Sequence, residues 1–273
     1  MPNSSQSIPS IFSRRSLTEI ANFYGTDKGT IGPNARRVVH NYTDIYSAYL
    51  EGYRDSALRV LEIGLGVIGD RWKSGLVSGH NTGGASLKMW HDYFPRATIY
   101  GIDVNECSYL DNERIKTFVA DQGNVADLDA FMAAVSGVEF DVIIDDGSHL
   151  PHHQQVSLSY FFRTLKPGGY YFIEDLRSNG LRGDQTRGVS AVKDTRRVLK
   201  HYLNHGEFEE PNALTDQQYL RDHIDYLAFH SAAPSMRVAL RASLRRPLRR
   251  RVYYKPGRER LCLIRKKTQA AGG

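Results

Sequence analysis

The chain is poor in the residues that would place it in several classes of protein at once. It has 2 cysteines in 273 residues. That is too few for a disulfide framework, so a reduced, cytoplasmic setting is expected. No stretch approaches the ~18 apolar residues of a membrane span, so no transmembrane segment is expected. Residues 1–15 are polar and Ser-rich, read as disordered, and hold no apolar core of signal-peptide length. Uniform positive charge is missing too. The net charge is +6, but Arg237 to Lys267 holds thirteen lysines and arginines against one acid, Glu259. That segment carries +12 and leaves the rest near −6. A basic nucleic-acid-binding body is therefore excluded, and nucleic acid is not the expected partner.

What is there is an ordinary globular composition, 41% hydrophobic and 24% charged, in a length that suits one α/β domain with a small extension. Residues 16–55 read as helical, with Leu17, Ile20, Phe23 and Tyr24 at helix spacing, interrupted by a turn-like stretch from Tyr24 to Gly29. From residue 56 to 267 the pattern becomes strand–helix alternation. Short apolar, β-branched runs at 58–64, 97–104, 116–122, 140–147 and 168–176 read as strands, with helices at 85–94, 125–136 and 152–165. Helical character returns near 192–203, and 224–231 and 259–267 read as two final strands, with the basic stretch 237–258 inserted between them. Residues 268–273 read as a disordered tail. Buried strands alternating with helices predict a doubly wound, mostly parallel, seven-stranded Rossmann-like α/β sheet with an N-terminal helical extension.

The first strand runs into Gly64, Gly66 and Gly69, a literal G-x-G-x-x-G. The match is weak alone, because many nucleotide-binding and structural loops share it. A dinucleotide site also needs a helix to begin at the third glycine, so that its N-terminus faces the pyrophosphate. Here a long Gly-rich loop continues to Gly84 and helix is expected only from about residue 85, which leaves a nicotinamide-dependent oxidoreductase as the alternative reading. A sulfonium cofactor has no phosphate but carries a cationic amine, a ribose and an adenine, and asks for acids around the loop. Glu62 stands two residues before Gly64, Asp103 ends the second strand where a carboxylate can hold ribose hydroxyls, and Asp121 with Gln122 ends the third where they can read an adenine edge.

The runs LEIGLG, YGIDV, DQGN, FDVIIDDGSH and LKPGGYYFIEDL together resemble class I S-adenosylmethionine-dependent methyltransferases. More closely they resemble the metal-dependent O-methyltransferases that act on deoxysugars of macrolide antibiotics, and YGTDKG, HNYTDIY and GGASLKMWHDYFP extend the likeness upstream. It covers roughly 20–180, and weakly 220–267. The resemblance implies S-adenosylmethionine as cofactor, a sugar-containing metabolite or oligosaccharide as acceptor, and residues 16–55 as an acceptor-shaping segment. Two departures bear on acceptor and assembly: no large N-terminal domain is seen, and the basic stretch is unfamiliar.

Asp145, Asp146 and His149 close the fourth strand, and Glu174 with Asp175 closes the fifth, beside the crevice where doubly wound sheets bind ligands. Three carboxylates, Asp146, Glu174 and Asp175, repel strongly unless a cation joins them. An all-oxygen set suits Mg²⁺ or Mn²⁺. The H-x-x-H-H of His149, His152 and His153 invites zinc, but no cysteine is near and the acids favour a harder ion. The resemblance places the metal on the same three acids and the general base on His149. Asp145, facing away from Asp146, is expected at the cofactor's amine, and His152 and His153 on a solvated helix face or at the acceptor entrance. Trp72 and Trp90 read as core or loop anchors, with Trp72 a candidate acceptor contact. The arginines of 237–258 leave three readings: peripheral contact with an anionic surface, a basic-tailed nucleic-acid-binding module, and a solvated or subunit contact in a homo-oligomer.

Overall fold

The structure, a computed structural model, describes residues 14–31, 40–66, 83–176, 192–231 and 259–268. Gly69, Trp72, the stretch 237–258 and nearly all of both ends read as disordered lie outside the described residues. Seven strands form one sheet: β1 (Arg59–Ile63), β2 (Thr98–Asp103), β3 (Ile115–Val119), β4 (Phe140–Asp145), β5 (Leu165–Ile173), β6 (Ile224–His230) and β7 (Leu261–Lys266). Their order is β3-β2-β1-β4-β5-β7-β6. The first five are parallel, while β7 runs antiparallel to both β5 and β6. This is the expected mostly parallel, Rossmann-like sheet, and its order reverses between β1 and β4, where such sheets open a ligand crevice.

Side chains alternate across the sheet and divide between two cores. On one side Leu61, Ile63, Ile143, Tyr171 and Ile173 pack among Leu128, Phe131, Leu158, Phe161, Val198 and Leu220. These last come from α4 (Val125–Ala134), α5 (Pro151–Phe161), α6 (Thr195–His205) and α7 (Gln217–His223). On the other, Val60, Val142, Ile144 and Phe172 pack with Leu17, Ile20, Tyr46, Leu50, Leu87 and Trp90. Here the helices are α1 (Leu17–Tyr24), α2 (Thr43–Leu50) and α3 (Ala85–Tyr93). The N-terminal segment thus completes one layer of the core. Ser16 and Glu19 form a capping box at the start of α1, and Gly25 ends that helix at φ 71°, turning the chain back toward the sheet. Trp90 is fully buried, an anchor as read from the sequence.

Two elements differ from the sequence reading. The helix expected over 152–165 stops at Phe161, because β5 already begins at Leu165, opposite Phe140. The seven-residue α7 was not anticipated. Its only buried residue is Leu220, so it carries almost no apolar periodicity to read.

Register sets the site. Ile63 lies opposite Asp145, and Asp145 opposite Ile173. Beyond them the ladder runs one step further: Asp146 N–H donates to the Ile63 carbonyl and Glu174 N–H to the Asp145 carbonyl, each at 2.9 Å. The glycine turn after β1, the Asp146 turn after β4 and Glu174 after β5 therefore stand side by side.

Candidate active site

A cavity of about 410 Å³ opens at this edge, within the roughly 300–1,000 Å³ of small-molecule sites. Of the residues expected to bind a cofactor, Gly64, Gly66, Asp103, Asp121 and Gln122 line it; so do Asp146, His149 and Asp175. Gly66, at φ 68°, has open space where a side chain would begin, so its bare backbone forms part of the wall. The Gly84 N–H bonds the Leu65 carbonyl at 2.7 Å. This folds the chain so that Gly84, Ala85 and Ser86, the start of α3, also line the cavity. The helix begins where the sequence reading expected it, at residue 85, and its N-terminus lines the ligand space, where backbone N–H groups suit an anionic group.

Asp103 holds the loop as well as facing the cavity. One oxygen accepts the Leu65 N–H at 2.8 Å, the other the Asn105 N–H at 2.8 Å. The latter, Oδ1, also accepts from the Asn105 side-chain amide at 2.9 Å, while Oδ2 keeps a further lone pair for a ligand. Gln122 is not free to read an adenine edge with its amide. Its Oε1 accepts from the Ser148 N–H at 2.8 Å and its Nε2 donates to Asp145. His153 belongs to the cavity wall instead of a solvated face, with Nδ1 3.0 Å from Ser148 Oγ and its ring over Gly123.

Three expected site residues do not line the cavity: Glu62, Asp145 and Glu174. Asp145 does face away from Asp146, but it points under α5, fully buried, where Ser157 Oγ donates to it at 2.7 Å and Gln122 Nε2 at 3.1 Å. Burial holds its carboxyl above the usual range, partly offset by those donors. Its role is to fix Gln122 and through it the turn that carries His149, so the expectation that it meets a cofactor amine is corrected. Asp145→Asn puts an amide N–H among donors. We expect a loss of about 1–3 kcal/mol, read as a lower urea midpoint at unchanged slope; an unchanged midpoint would remove this role.

Glu62 and Glu174 point to the other face, and there the structure reveals a residue the sequence reading left unassigned. Lys28, 1% exposed, places its Nζ 2.5 Å from Asp146 Oδ2, 2.9 Å from Glu174 Oε1 and 3.4 Å from Glu62 Oε1. Burial pushes its ammonium toward the neutral form, but Asp146, Glu174 and Glu62 more than reverse this and hold it charged. The Tyr46 hydroxyl donates to Glu174, and the Tyr42 hydroxyl to Asp175 at 2.6 Å. Burial, then repulsion from Asp146, holds Glu174 well above the usual carboxylate range. Burial likewise raises Glu62, to about 7. No sequence signal marked Lys28. The YGTDKG motif contains it, but a lysine in a turn is solvated unless something says otherwise.

Asp175 looks elsewhere. Its oxygens face His40 Nδ1 at 3.5 Å and His149 Nε2 at 3.9 Å. Burial opposes its ionisation, yet His40, His149 and the Tyr42 hydroxyl bring its carboxyl below the usual value. His149 and Asp175 both have left-handed backbones, φ 58° and 47°, a strain that places the two side chains on the same opening. The expectation that Asp146, Glu174 and Asp175 surround one point is thus corrected. Among the described residues, no three acidic, histidine or cysteine side chains come together as an ion would require. The physical reason is that an ammonium already stands between Asp146 and Glu174. The donor set still suits a hard cation, being anionic, oxygen-only and buried, with a cation held in it.

The 8-demethyl-8-alpha-L-rhamnosyl tetracenomycin-C 2'-O-methyltransferase of Streptomyces olivaceus is 34% identical over 198 residues, 70% of this chain and 47% of the relative. The demethylmacrocin O-methyltransferase of Streptomyces fradiae is 33% identical over 201 residues, 71% of this chain and 48% of the relative. The chain is similar to these O-methyltransferases over about 70% of its own length. It spans about half the length of these curated relatives. Among solved structures, the MycE methyltransferase from the mycinamycin biosynthetic pathway, in complex with Mg, SAH and mycinamycin VI, superposes with a TM-score of 0.61 at 26% identity. That superposition covers 96% of this chain and 57% of that one. No protein-family model matches the chain.

Proposed function

We propose that the chain transfers a methyl group from S-adenosylmethionine to a hydroxyl of a sugar, borne by a glycosylated metabolite or an oligosaccharide, with a divalent cation, Mg²⁺ or Mn²⁺. The observation that carries this is the layout of one cavity. Gly66, Asp103 and Asp121 lie along it with the start of α3, and Asp146, His149 and Asp175 lie along the same wall. Asp103 would hold the ribose hydroxyls, the backbone of Gly64 and Gly66 would face the nucleoside, and the α3 N-terminus would hold the methionine carboxylate. The acceptor lies toward Gly25, Thr26 and Asp27, which bring the N-terminal segment into the cavity wall. The setting is a reducing one such as the cytoplasm: both cysteines are buried and free, and no helix among the described residues is long and apolar enough to cross a membrane.

His149 is the general base. It takes the acceptor proton at Nε2, and the imidazolium then stands beside the carboxylate of Asp175, which favours its charge. An alcohol has a pKa of about 16, and a bound divalent ion lowers it by many units. Asp146 and Glu174 would hold that ion, with Asp175 on the wall of the same cavity. Asp146 and Glu174 already share a cation in the form of Lys28.

The test is formation of S-adenosylhomocysteine against a panel of free and glycosidic sugars. Turnover with at least one glycoside is expected, falling to background in EDTA and returning with Mg²⁺. Turnover that survives EDTA removes the ion from the reaction. Thermal stabilisation by NAD but not by S-adenosylhomocysteine replaces the reading with the nicotinamide alternative.

A further inference from the structure

Two carboxylates that would hold a divalent ion are bound to an ammonium, and a third, buried behind them, holds the same ammonium at longer range. Glu62 is fully buried, pairs with Lys28 Nζ at 3.4 Å, a longer contact than those to Asp146 and Glu174, and has the Ser86 hydroxyl as a further partner. A buried carboxylate held this loosely is costly. Its position is explained if it is the second of two resting places for the same ammonium.

We propose that Lys28 is an exchangeable internal counter-ion, which holds Asp146 and Glu174 when no divalent ion is bound and withdraws onto Glu62 when one takes those two carboxylates. The inference rests on the reading of the site as metal-dependent. Mg²⁺ binds oxygens at about 2.0–2.1 Å, so an ion on Asp146 Oδ2 and Glu174 Oε1 would crowd an ammonium that is 2.5 and 2.9 Å from the same atoms. The two cations repel and cannot both keep those oxygens.

The surroundings assign the movement to the lysine. Its backbone is pinned, since the Lys28 carbonyl accepts from Thr43 N–H and its own N–H lies against Thr26 Oγ1. Glu174 is held by the Tyr46 hydroxyl and Asp175 by the Tyr42 hydroxyl. The other cationic groups near these acids are His40 and Arg260, which face Asp175, and His149, which acts on both Asp175 and Asp146. What remains free to move is the lysine's four-carbon stem. A short swing closes the 3.4 Å gap to Glu62.

The experiment uses the full chain stripped of metal, with Mn²⁺ titrated and the free ion read by electron paramagnetic resonance. Lys28→Met removes the competing charge and is expected to tighten Mn²⁺ binding by roughly tenfold or more. It should also melt at a lower temperature without metal and recover with Mn²⁺. Glu62→Gln removes the refuge and is expected to weaken Mn²⁺ binding several-fold. The double variant should bind like Lys28→Met. A fixed structural lysine gives other signs: Lys28→Met no tighter than wild type, or Glu62→Gln unchanged, overturns the proposal even if only one of the two variants folds. If wild type and both variants leave Mn²⁺ free, the metal-dependent reading falls, and the exchange with it.

Discussion

His149→Ala is expected to lower the rate of methyl transfer by about 10²–10⁴-fold while leaving S-adenosylhomocysteine affinity within about twofold. The two effects separate because the groups separate. His149 Nε2 faces Asp175 at the fifth-strand end of the cavity, whereas Gly66, Asp103 and the start of α3 lie at the ends of the first two strands. His149 also has φ 58°, a conformation that alanine resists and asparagine tolerates. His149→Asn is therefore the companion variant: it keeps the turn and removes the base. Single-turnover rates with saturating cofactor, and calorimetric titration with S-adenosylhomocysteine, read the two quantities. If both variants keep more than about a tenth of the wild-type rate, His149 is not the base.

The strand ends of this chain were legible because parallel sheets announce themselves. Apolar runs such as 140–147 stop at an acid, and the acids fall on one edge by topology alone. Which way each acid then points was only half legible. Alternation put Asp145 and Asp146 on opposite faces, but the partner under α5 is Ser157, twelve residues on, and a polar residue inside a helix carries no sign of facing a carboxylate. Lys28 was illegible for a related reason. It reaches Asp146 across 118 positions and Glu174 across 146, and no local pattern encodes contacts at that range. Tyr42 and Tyr46 are fully buried, and their hydroxyls end on Asp175 and Glu174. The N-terminal segment thus supplies the polar atoms that arrange the acids, a contribution periodicity cannot forecast.

Gly64→Ala is expected to cost about 3–5 kcal/mol or to prevent folding, in the range that only a named steric or buried defect produces. Two terms add. Gly64 has φ 85°, which for an L side chain costs roughly 1–2 kcal/mol. Its added Cβ would also press on the Asp146 carbonyl oxygen and stand 2.5 Å from Gly147 Cα, both main-chain atoms with no rotamer to yield. Nor can the backbone step aside, because Gly64 N–H is bonded to the Ile102 carbonyl at 2.8 Å and Asp146 N–H to the Ile63 carbonyl at 2.9 Å. Gly66→Ala isolates the first term. Its φ is 68° and nothing among the described residues lies within 4 Å of the new Cβ, so stability should fall by only about 1–2 kcal/mol. The methyl would instead occupy the cavity and weaken S-adenosylhomocysteine binding. Urea unfolding and ligand titration of the two variants should therefore show opposite profiles. Equal urea midpoints would mean that the junction of β1 and β4 can open, and that Asp146 and His149 are not held by the sheet as its register implies.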